Sequence, residues 1–254
     1  MGGARWLADA RAGLLDLVLA PRCVACRDPI STAAAQRMVC ALCRGRLRPV
    51  PPPRCGRCGE TRRGNTADGP CPRCEALPAE IRAVRSAVLL DPVSKEIVHA
   101  LKYGGWRDLA GEMASRMAAV DLPPDVRREA ATVVPVPSTA VRQRERGYNQ
   151  AALLAEGLAG KLGLRVDTER LVRSGSTGSQ TALHPDQRRA NVAAAFSVRR
   201  RETVPEQPGE HLVLVDDVWT TGATAEACVR ALTGAGARTV TVITFARALP
   251  HLER

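Results

Sequence analysis

The chain has 254 residues, of which 45% are hydrophobic, and this is enough for one large domain or two smaller ones with a buried core. Its formal net charge is +11, and aromatic residues make up only 3% of the chain. The apolar run from Trp6 to Leu19 is interrupted by three charged residues, so it predicts an amphipathic helix over residues 1–20 and neither a signal-peptide core nor a membrane span. No other segment is long enough to cross a bilayer, and we expect a cytoplasmic protein.

Eight of the nine cysteines follow as four Cys-x-x-Cys pairs, and they predict a zinc-binding region over residues 21–78. Two such pairs complete a tetrahedral shell, and four thiolates leave no open position, so we expect two structural Zn²⁺ ions. The lack of an export signal argues against disulfides. Sequential pairing joins Cys23, Cys26, Cys40 and Cys43 in one site and Cys55, Cys58, Cys71 and Cys74 in the other; interleaved pairing has the same spacing and stays open here.

Residues 1–90 carry 15 arginines against 7 acidic residues, so most of the excess positive charge belongs to this region. Each zinc with four thiolates contributes −2, which would lower the charge of the chain from +11 to about +7. The arginines could form a face for nucleic acid, or they could solvate the metal region and compensate its charge; both interpretations stay open. The arginines concerned are Arg44, Arg46, Arg48, Arg54, Arg57, Arg62, Arg63 and Arg73.

After Pro78 the pattern predicts an α/β domain over residues 79–254. A strand over Val84–Leu90 and a helix over Val93–Tyr103 lead into a Gly-Gly turn. Lys102, at the end of that helix, could reach an anionic ligand, although a solvated helix end is an equal alternative.

A second buried strand, Ala131–Val136, ends in a proline-stiffened turn at the position where α/β sheets place their ligands. A basic loop and a helix from Gln150 to about Leu162 follow. Because guanidinium groups match phosphate oxygens, we predict that the turn and loop grip a pyrophosphate group. The residues of this predicted grip are Pro137, Ser138, Arg142, Arg144 and Arg146.

A loop of small residues at positions 174–179 precedes a polar segment and a short strand near Phe196. Such a loop beside a phosphate site predicts a lid that closes over a water-sensitive reaction. The polar members of this predicted lid are Gln180, Thr181, Arg188, Arg189 and Asn191.

The penultimate strand, Leu212–Val215, is followed by two carboxylates, Asp216 and Asp217, and then by a hydroxyl-rich turn that opens a helix over Ala223–Ala235. The first amides of a helix lack partners and favour a phosphate. The two carboxylates would face sugar hydroxyls or Mg²⁺, and a phosphate beside a diol indicates a ribose 5-phosphate. The residues of the predicted phosphate turn are Thr220, Thr221, Gly222, Ala223 and Thr224.

Val213–Thr224 resembles the phosphoribosyl pyrophosphate (PRPP) signature of type I phosphoribosyltransferases. With the four cysteine pairs, Leu101-Lys-Tyr-Gly, Val134-Pro-Val-Pro, Arg144-x-Arg-Gly-Tyr-Asn-Gln150 and Gln180-Thr-x-Leu, the chain is similar, in order, to the ComF family of bacterial competence proteins. One departure is Trp219, which is bulky where the family usually has a smaller residue beside the ribose.

The resemblance implies a Rossmann-like type I phosphoribosyltransferase fold with a mostly parallel sheet behind a small zinc-ribbon region whose sites each have four cysteine ligands. It also implies PRPP with Mg²⁺ as ligand, single-stranded DNA and a competence helicase as partners, and Asp216 and Asp217 as catalytic residues. Three functions follow from it. The first, which we favour, is a PRPP-binding DNA-uptake factor; the others are a nucleotide-salvage phosphoribosyltransferase and a PRPP-sensing regulator that binds nucleic acid.

Overall fold

A computed structural model describes residues 21–30, 38–62, 71–75, 77–173, 195–199 and 209–248. The predicted N-terminal helix over residues 1–20 lies outside the described residues. So do the predicted lid residues Gln180, Thr181, Arg188, Arg189 and Asn191.

The described helices are α1 (Ala41–Arg46), α2 (Pro72–Glu75), α3 (Pro92–Tyr103), α4 (Leu109–Ala118), α5 (Pro124–Glu129), α6 (Ala140–Arg146), α7 (Gln150–Leu162) and α8 (Ala223–Gly234). The described strands are β1 (Ile81–Leu89), β2 (Ala130–Pro135), β3 (Arg165–Val166), β4 (Leu171–Arg173), β5 (Phe196–Val198), β6 (His211–Trp219) and β7 (Thr239–Arg247). Within these residues, none of the helices is both long and apolar enough to cross a membrane.

Five strands form a parallel sheet in the order β1-β7-β6-β2-β3, and β4 and β5 form a separate antiparallel pair. The mostly parallel α/β architecture predicted from the sequence is therefore confirmed. From β2 the chain moves outward to β3, whereas from β6 it moves outward in the opposite direction to β7. This reversal opens a crevice at the carboxyl ends of β2 and β6, which is where open α/β sheets bind ligands.

Both faces of the sheet are buried, which explains the continuous apolar runs in its strands. Successive residues of a strand point to opposite faces. Val213 and Val215 accordingly pack into the core on the side of α4 and α7, while Leu212 and Leu214 pack on the side of α8. Cys228, the ninth cysteine, lies in α8 and is fully buried in the second of these cores.

The cysteine-rich region has no separate core. Val24, Ile30, Val39 and Leu47 belong to the same apolar cluster as residues of α3 and α4. The second half of the region is attached differently, because the Arg57 guanidinium donates to the Ile81 carbonyl of β1 and the Arg247 guanidinium of β7 donates to the Cys58 carbonyl. The region is thus built into the α/β domain at two places.

Two element predictions need correction. The strand predicted to end at Val215 continues through both aspartates to Trp219, because its pairing with β7 persists beyond the apolar run. The segment predicted as a basic loop contains helix α6, with Thr139 as its N-cap and Gly147 in the left-handed conformation at its end. Only one of its residues, Val141, is a large apolar residue, so the sequence had no apolar periodicity from which this helix could be predicted.

Candidate functional site

The cysteines form two groups in which the sulfur atoms lie within 4.8 Å of one another. The Cys26 and Cys40 sulfurs are 3.8 Å apart, and the Cys58 and Cys71 sulfurs are 3.6 Å apart. A tetrahedron with Zn–S bonds of about 2.3 Å requires S···S distances of about 3.8 Å, so the donor sets fit Zn²⁺. The groups are Cys23, Cys26, Cys40 and Cys43, and Cys55, Cys58, Cys71 and Cys74, which selects the sequential pairing.

In each group, main-chain amides favour the thiolate form of one sulfur. Burial alone would raise the pKa of the Cys23 thiol, but hydrogen bonds from the amides of Cys26, Cys40 and Ala25 lower it to about 7. Cys55 in the second group behaves in the same way, with burial outweighed by amide hydrogen bonds and a pKa of about 7. Since Zn²⁺ binds thiolate rather than thiol, each group has a sulfur that releases its proton readily.

The arginines of the metal region divide into two sets. Arg44 and Arg48 lie 3.9 and 3.5 Å from Glu112 and Asp91, and Arg57 donates to the Ile81 carbonyl of β1, so these three contact the α/β domain. Arg46 and Arg54 are exposed. Arg63 and the side chain of Arg73 lie outside the described residues.

A cavity of about 250 Å³ lies at the crevice between the carboxyl ends of β2 and β6. It brings together nine of the sequence-predicted residues: Lys102, Pro137, Ser138, Arg142, Arg146, Asp216, Asp217, Thr220 and Thr224. Five residues that the sequence did not indicate also line it: Tyr103, Val136, Gln150, Arg173 and Val218. Thr221, Gly222 and Ala223 belong to the turn between two of the lining residues without lining the cavity themselves.

The two aspartates are consecutive residues of β6, so their side chains start toward opposite faces of the sheet. Asp217 is only 3% exposed, and its Oδ1 accepts a hydrogen bond of 2.8 Å from Lys102 Nζ. Among the described residues its Oδ2 has no partner, which leaves one buried acceptor for a ligand. Lys102, predicted to reach an anion, is instead paired with an acid in this structure.

Asp216 has a raised proton affinity. Burial raises its pKa from 3.8 to about 7, the neighbouring Asp217 charge adds to the shift, and Lys102 and Arg173 oppose it. Its Oδ1 accepts a hydrogen bond from the amide of Asp217. Near neutral pH the pocket can therefore present one carboxylate and one group that exchanges a proton readily, a combination typical of functional sites.

The turn after β6 is shaped for close approach of a ligand to the main chain. Gly222 has φ of +90°, and a Cβ at this position would lie 2.6 Å from Cζ2 of Trp219. Trp219 is 4% exposed and does not line the cavity, because it packs beneath the turn and fills the space that Gly222 leaves. The bulky residue therefore does not narrow the pocket.

Helix α8 begins at this turn with Gly222 as its N-cap, which has no side chain to accept from the first amides, while the Ala223 amide donates to Thr221 Oγ1 at 3.4 Å. These amides, with the positive end of the helix dipole, can hold a phosphate. On the opposite wall, Ser138 Oγ is buried and has no hydrogen-bond partner among the described residues. Both features leave donors available to an anionic ligand.

Helix α6 sets the direction of the predicted arginine grip. Residues four apart lie on one face of a helix, and the residue two positions from each of them lies on the other face. Arg142 and Arg146 line the cavity, whereas Arg144 is not among its lining residues. Arg146 Nη1 donates to Gln150 Oε1 at 2.9 Å, which fixes its direction.

Arg173 at the end of β4 is the cationic residue that sequence reasoning missed. It lines the cavity, its guanidinium lies over the Phe196 ring at 5.1 Å, and burial lowers its pKa. A lone arginine before a loop matches no motif. Its place in the site becomes visible only in the folded chain, where β4 pairs with β5.

Two family models match the chain. Residues 14–75 match a double zinc ribbon domain, and residues 144–252 match a phosphoribosyl transferase domain. The DNA utilization protein YhgH of Escherichia coli O6:H1 is 30% identical over 237 residues, which cover 89% of this chain and 97% of that protein. Competence protein F of Haemophilus influenzae is 30% identical over 238 residues, with the same coverage of 89% and 97%.

The chain belongs to the ComF family. A further relative is competence protein ComFC of Bacillus subtilis, which is 27% identical over 202 residues, or 76% of this chain and 77% of that protein. The first match covers both cysteine groups, and the second covers the part of the α/β domain from the end of α6 to β7, which includes three of the five strands of the sheet. The family resemblance stated from the sequence is thus confirmed.

Proposed function

We propose that the chain binds PRPP with Mg²⁺ in the cavity between β2 and β6 and acts in DNA uptake in the cytoplasm, together with single-stranded DNA and a competence helicase. The observation that carries the PRPP proposal is the meeting of three kinds of group in one crevice. These are the start of α8 with its glycine N-cap, the acidic pair of β6 and the arginines of α6 and β4. The role in DNA uptake is supported by the names of the relatives, a DNA utilization protein and two competence proteins.

In this proposal the 5-phosphate of PRPP lies on the amides at the start of α8, with the threonine hydroxyls of the turn as additional donors. The ribose hydroxyls donate to Asp216 and Asp217. Arg142, Arg146 and Arg173 lie across the crevice and contact the pyrophosphate. Carboxylate oxygens such as the unpartnered Oδ2 of Asp217 suit Mg²⁺, which when bound would neutralise pyrophosphate charge.

The same arrangement would favour transfer of the phosphoribosyl group. The bond from C1 to the pyrophosphate oxygen breaks, positive charge develops on the ribose ring, and a bond from C1 to the acceptor forms. The acidic pair lies where it offsets the developing charge, and the arginines stabilise the departing pyrophosphate. Catalysis would then consist mainly of positioning and electrostatic stabilisation.

Isothermal titration of PRPP with Mg²⁺ tests the site. We expect Asp216→Ala/Asp217→Ala and Arg146→Ala each to weaken PRPP binding by about tenfold or more, equivalent to about 1.4 kcal/mol. Arg144→Ala is the matched control, because it removes the same charge from the opposite side of the same helix and should leave affinity within about twofold. Equal losses in Arg144→Ala and Arg146→Ala would count against a specific pyrophosphate contact.

A second measurement separates a binding role from salvage. The protein is incubated with labelled PRPP, Mg²⁺ and each nucleobase in turn, and pyrophosphate release is followed. Steady turnover with one free base would replace the DNA-uptake proposal by a salvage phosphoribosyltransferase. Binding of PRPP without turnover on free bases is the expected result.

A further inference from the structure

The turn from Cys55 to Cys58, which supplies two sulfurs of the second cysteine group, is docked on the α/β domain through its main chain. Gly59 permits this close approach, because its φ is +69° and a Cβ there would lie 2.4 Å from the Val84 carbonyl oxygen. Three consecutive carbonyls of the turn accept hydrogen bonds from the domain: Gly56 from Arg85 Nη2 at 2.7 Å, Arg57 from the Val84 amide at 2.7 Å, and Cys58 from the Arg247 guanidinium. The turn is therefore in direct contact with both β1 and β7.

Arg247 extends this contact toward the cavity. It is 1% exposed, its Nη1 donates to Glu60 Oε2 at 3.1 Å, and its guanidinium carbon lies 5.5 Å from the centre of the Trp219 ring, where a cation is attracted to the ring face. Arg247 and Trp219 are also register partners in β7 and β6, and the Trp219 carbonyl accepts a hydrogen bond of 2.9 Å from the Ala248 amide. Movement of Arg247 would therefore reach Trp219 through the side chain and through the main chain.

Trp219 connects Arg247 to the predicted phosphate turn. Its Cζ2 and Cη2 lie 2.6 and 2.8 Å from the position that a Cβ of Gly222 would occupy. Among the described residues its ring N–H has no hydrogen-bond partner, so packing and the arginine set the position of the ring. Thr220 and Thr224, on either side of Gly222, line the cavity. A shift of the ring would therefore move the segment between two cavity-lining residues.

We propose that zinc in the second cysteine group holds the phosphate turn in its binding conformation, with Arg247 and Trp219 as positioning residues. This inference deepens the proposed function and rests on it, because it concerns regulation of the same PRPP site. Structural zinc supplies much of the folding energy of a ribbon, so loss of the metal would release the Cys55–Cys58 turn. Arg247 would then remain as a buried cation that has lost the Cys58 carbonyl and Glu60, which is strongly destabilising, and its neighbour Trp219 would move.

Tryptophan emission tests this chain of contacts without any ligand. The sequence has three tryptophans, and Trp6→Phe/Trp106→Phe leaves only Trp219. In this background Cys71→Ser should remove zinc from the second group and shift the emission maximum to longer wavelength, because the ring becomes more exposed to water. Cys26→Ser is the matched control, since it removes an equally half-buried ligand of the first group, which packs against α3 and α4. It should leave the maximum unchanged.

Zinc content and far-ultraviolet circular dichroism check that each variant has lost one metal ion and is folded. Glu60→Gln supplies the same test if Cys71→Ser does not fold, because it keeps all eight cysteines and removes a charge partner of Arg247. It should shift the emission in the same direction. An unchanged maximum in the folded second-group variant and in Glu60→Gln, or an equal shift in Cys26→Ser, overturns the proposal.

Zinc release tests the coupling in the opposite direction, because an effect of zinc on PRPP affinity requires an equal effect of PRPP on zinc affinity. Transfer of zinc to a chromogenic chelator is followed with and without saturating PRPP and Mg²⁺. Cys26→Ser reports the second site and Cys71→Ser the first. We expect PRPP to slow release from the second site by about fivefold or more and from the first by less than about twofold. Trp219→Phe keeps a ring beneath Gly222 and should retain this protection, whereas Trp219→Leu should lose it.

The two proposals fail in different ways. Asp216→Ala/Asp217→Ala controls for direct chelation of zinc by PRPP, since its zinc release should not respond to the ligand. If the parent protein binds no PRPP, the proposed function fails, and the Trp219 emission alone decides whether the second zinc site positions the turn. If PRPP binds but slows zinc release equally at both sites or at neither, the coupling is wrong and the PRPP site stands.

Discussion

Lys102 Nζ lies 2.8 Å from Asp217 Oδ1, although the two residues are 115 positions apart in the sequence. The carboxylate side chain is 5% exposed and the lysine side chain 24% exposed, so the pair joins the end of α3 to the buried end of β6. A ligand that approaches Asp217 meets a carboxylate already oriented by this contact. The ion pair thus stabilises the carboxyl end of β6 and also orients a residue that lines the cavity.

Replacing Lys102 by methionine should lower the free energy of unfolding by about 1–3 kcal/mol. This is less than the 3–5 kcal/mol for a fully buried pair, because the lysine retains contact with solvent. The stability is lost because the buried Asp217 carboxylate loses its cation and stays next to Asp216. Urea unfolding measures the change. The double variant Lys102→Met/Asp217→Asn should recover most of the loss, and a double variant no more stable than the single one would contradict the explanation.

Asp216→Asn should stabilise the protein at alkaline pH. The folded-state pKa of about 7 is above the ordinary value of 3.8, so the folded state binds this proton more tightly than the unfolded state does. The stabilisation from that proton is fully present below about pH 4 and is lost as pH rises through about 7. Asparagine remains neutral, so the advantage of the variant should be small near pH 4, should grow as pH rises toward 7 and should level off at about 1–3 kcal/mol by pH 8.5.

Unfolding by urea at pH 4, 5.5, 7 and 8.5 gives this comparison. The same variant should bind PRPP more weakly at pH 8.5, because it cannot supply a second carboxylate to the ribose. A stability difference that is independent of pH would mean that Asp216 is already ionised throughout this range.

Gly222→Ala should disturb the phosphate turn more than its backbone conformation alone explains. The new Cβ would meet Trp219 at 2.6 Å, in addition to the cost of φ at +90°. Gly236→Ala is a matched control, since Gly236 has φ of +105° and nothing lies within 4 Å of its Cβ position. We expect about 1 kcal/mol of destabilisation in the control and about 2–4 kcal/mol in Gly222→Ala.

PRPP titration completes that test. The control should keep its affinity, and Gly222→Ala should lose tenfold or more. Equal effects of the two substitutions on stability and binding would show that Trp219 moves aside without consequence.

Arg247→Met should weaken the second cysteine group. Arg247 is 1% exposed at the end of β7; its guanidinium pairs with Glu60 at 3.1 Å, donates to the Cys58 carbonyl and lies 5.5 Å from the Trp219 ring. Removing a buried cation of this kind costs about 3–5 kcal/mol. We expect faster transfer of zinc to a chromogenic chelator from one of the two sites, seen as a fast phase of half amplitude.

Arg48→Met is the control for that experiment. Its side chain is 62% exposed and its contact with Asp91 is 3.5 Å, so it should change stability by less than about 1 kcal/mol and leave zinc release uniform. A single slow phase in Arg247→Met would show that the ribbon holds its metal without this contact.

The sequence predicted the parts of the site that are local in the chain. The β-branched run before Asp216 and the helical pattern after Gly222 predicted the phosphate turn, and the cysteine spacing predicted both metal groups. The extension of β6 to Trp219 was missed because charged residues end an apolar pattern, although pairing with β7 continues. The Lys102–Asp217 pair and the place of Arg173 depend on tertiary contacts that no local pattern records. The direction of Arg144 followed only once α6 was known to be helical.

Arg247 has a consequence for how this protein can be dissected. Its guanidinium is enclosed between the cysteine-rich segment and the end of β7, so deleting residues 1–78 would remove its partners Glu60 and Cys58 and expose apolar residues of α3 and α4. If the shortened protein failed to bind its ligands, the failure would then reflect unfolding of the remaining domain and not the function of the deleted region. Separate functions of the two regions should therefore be tested by point substitutions in the intact chain.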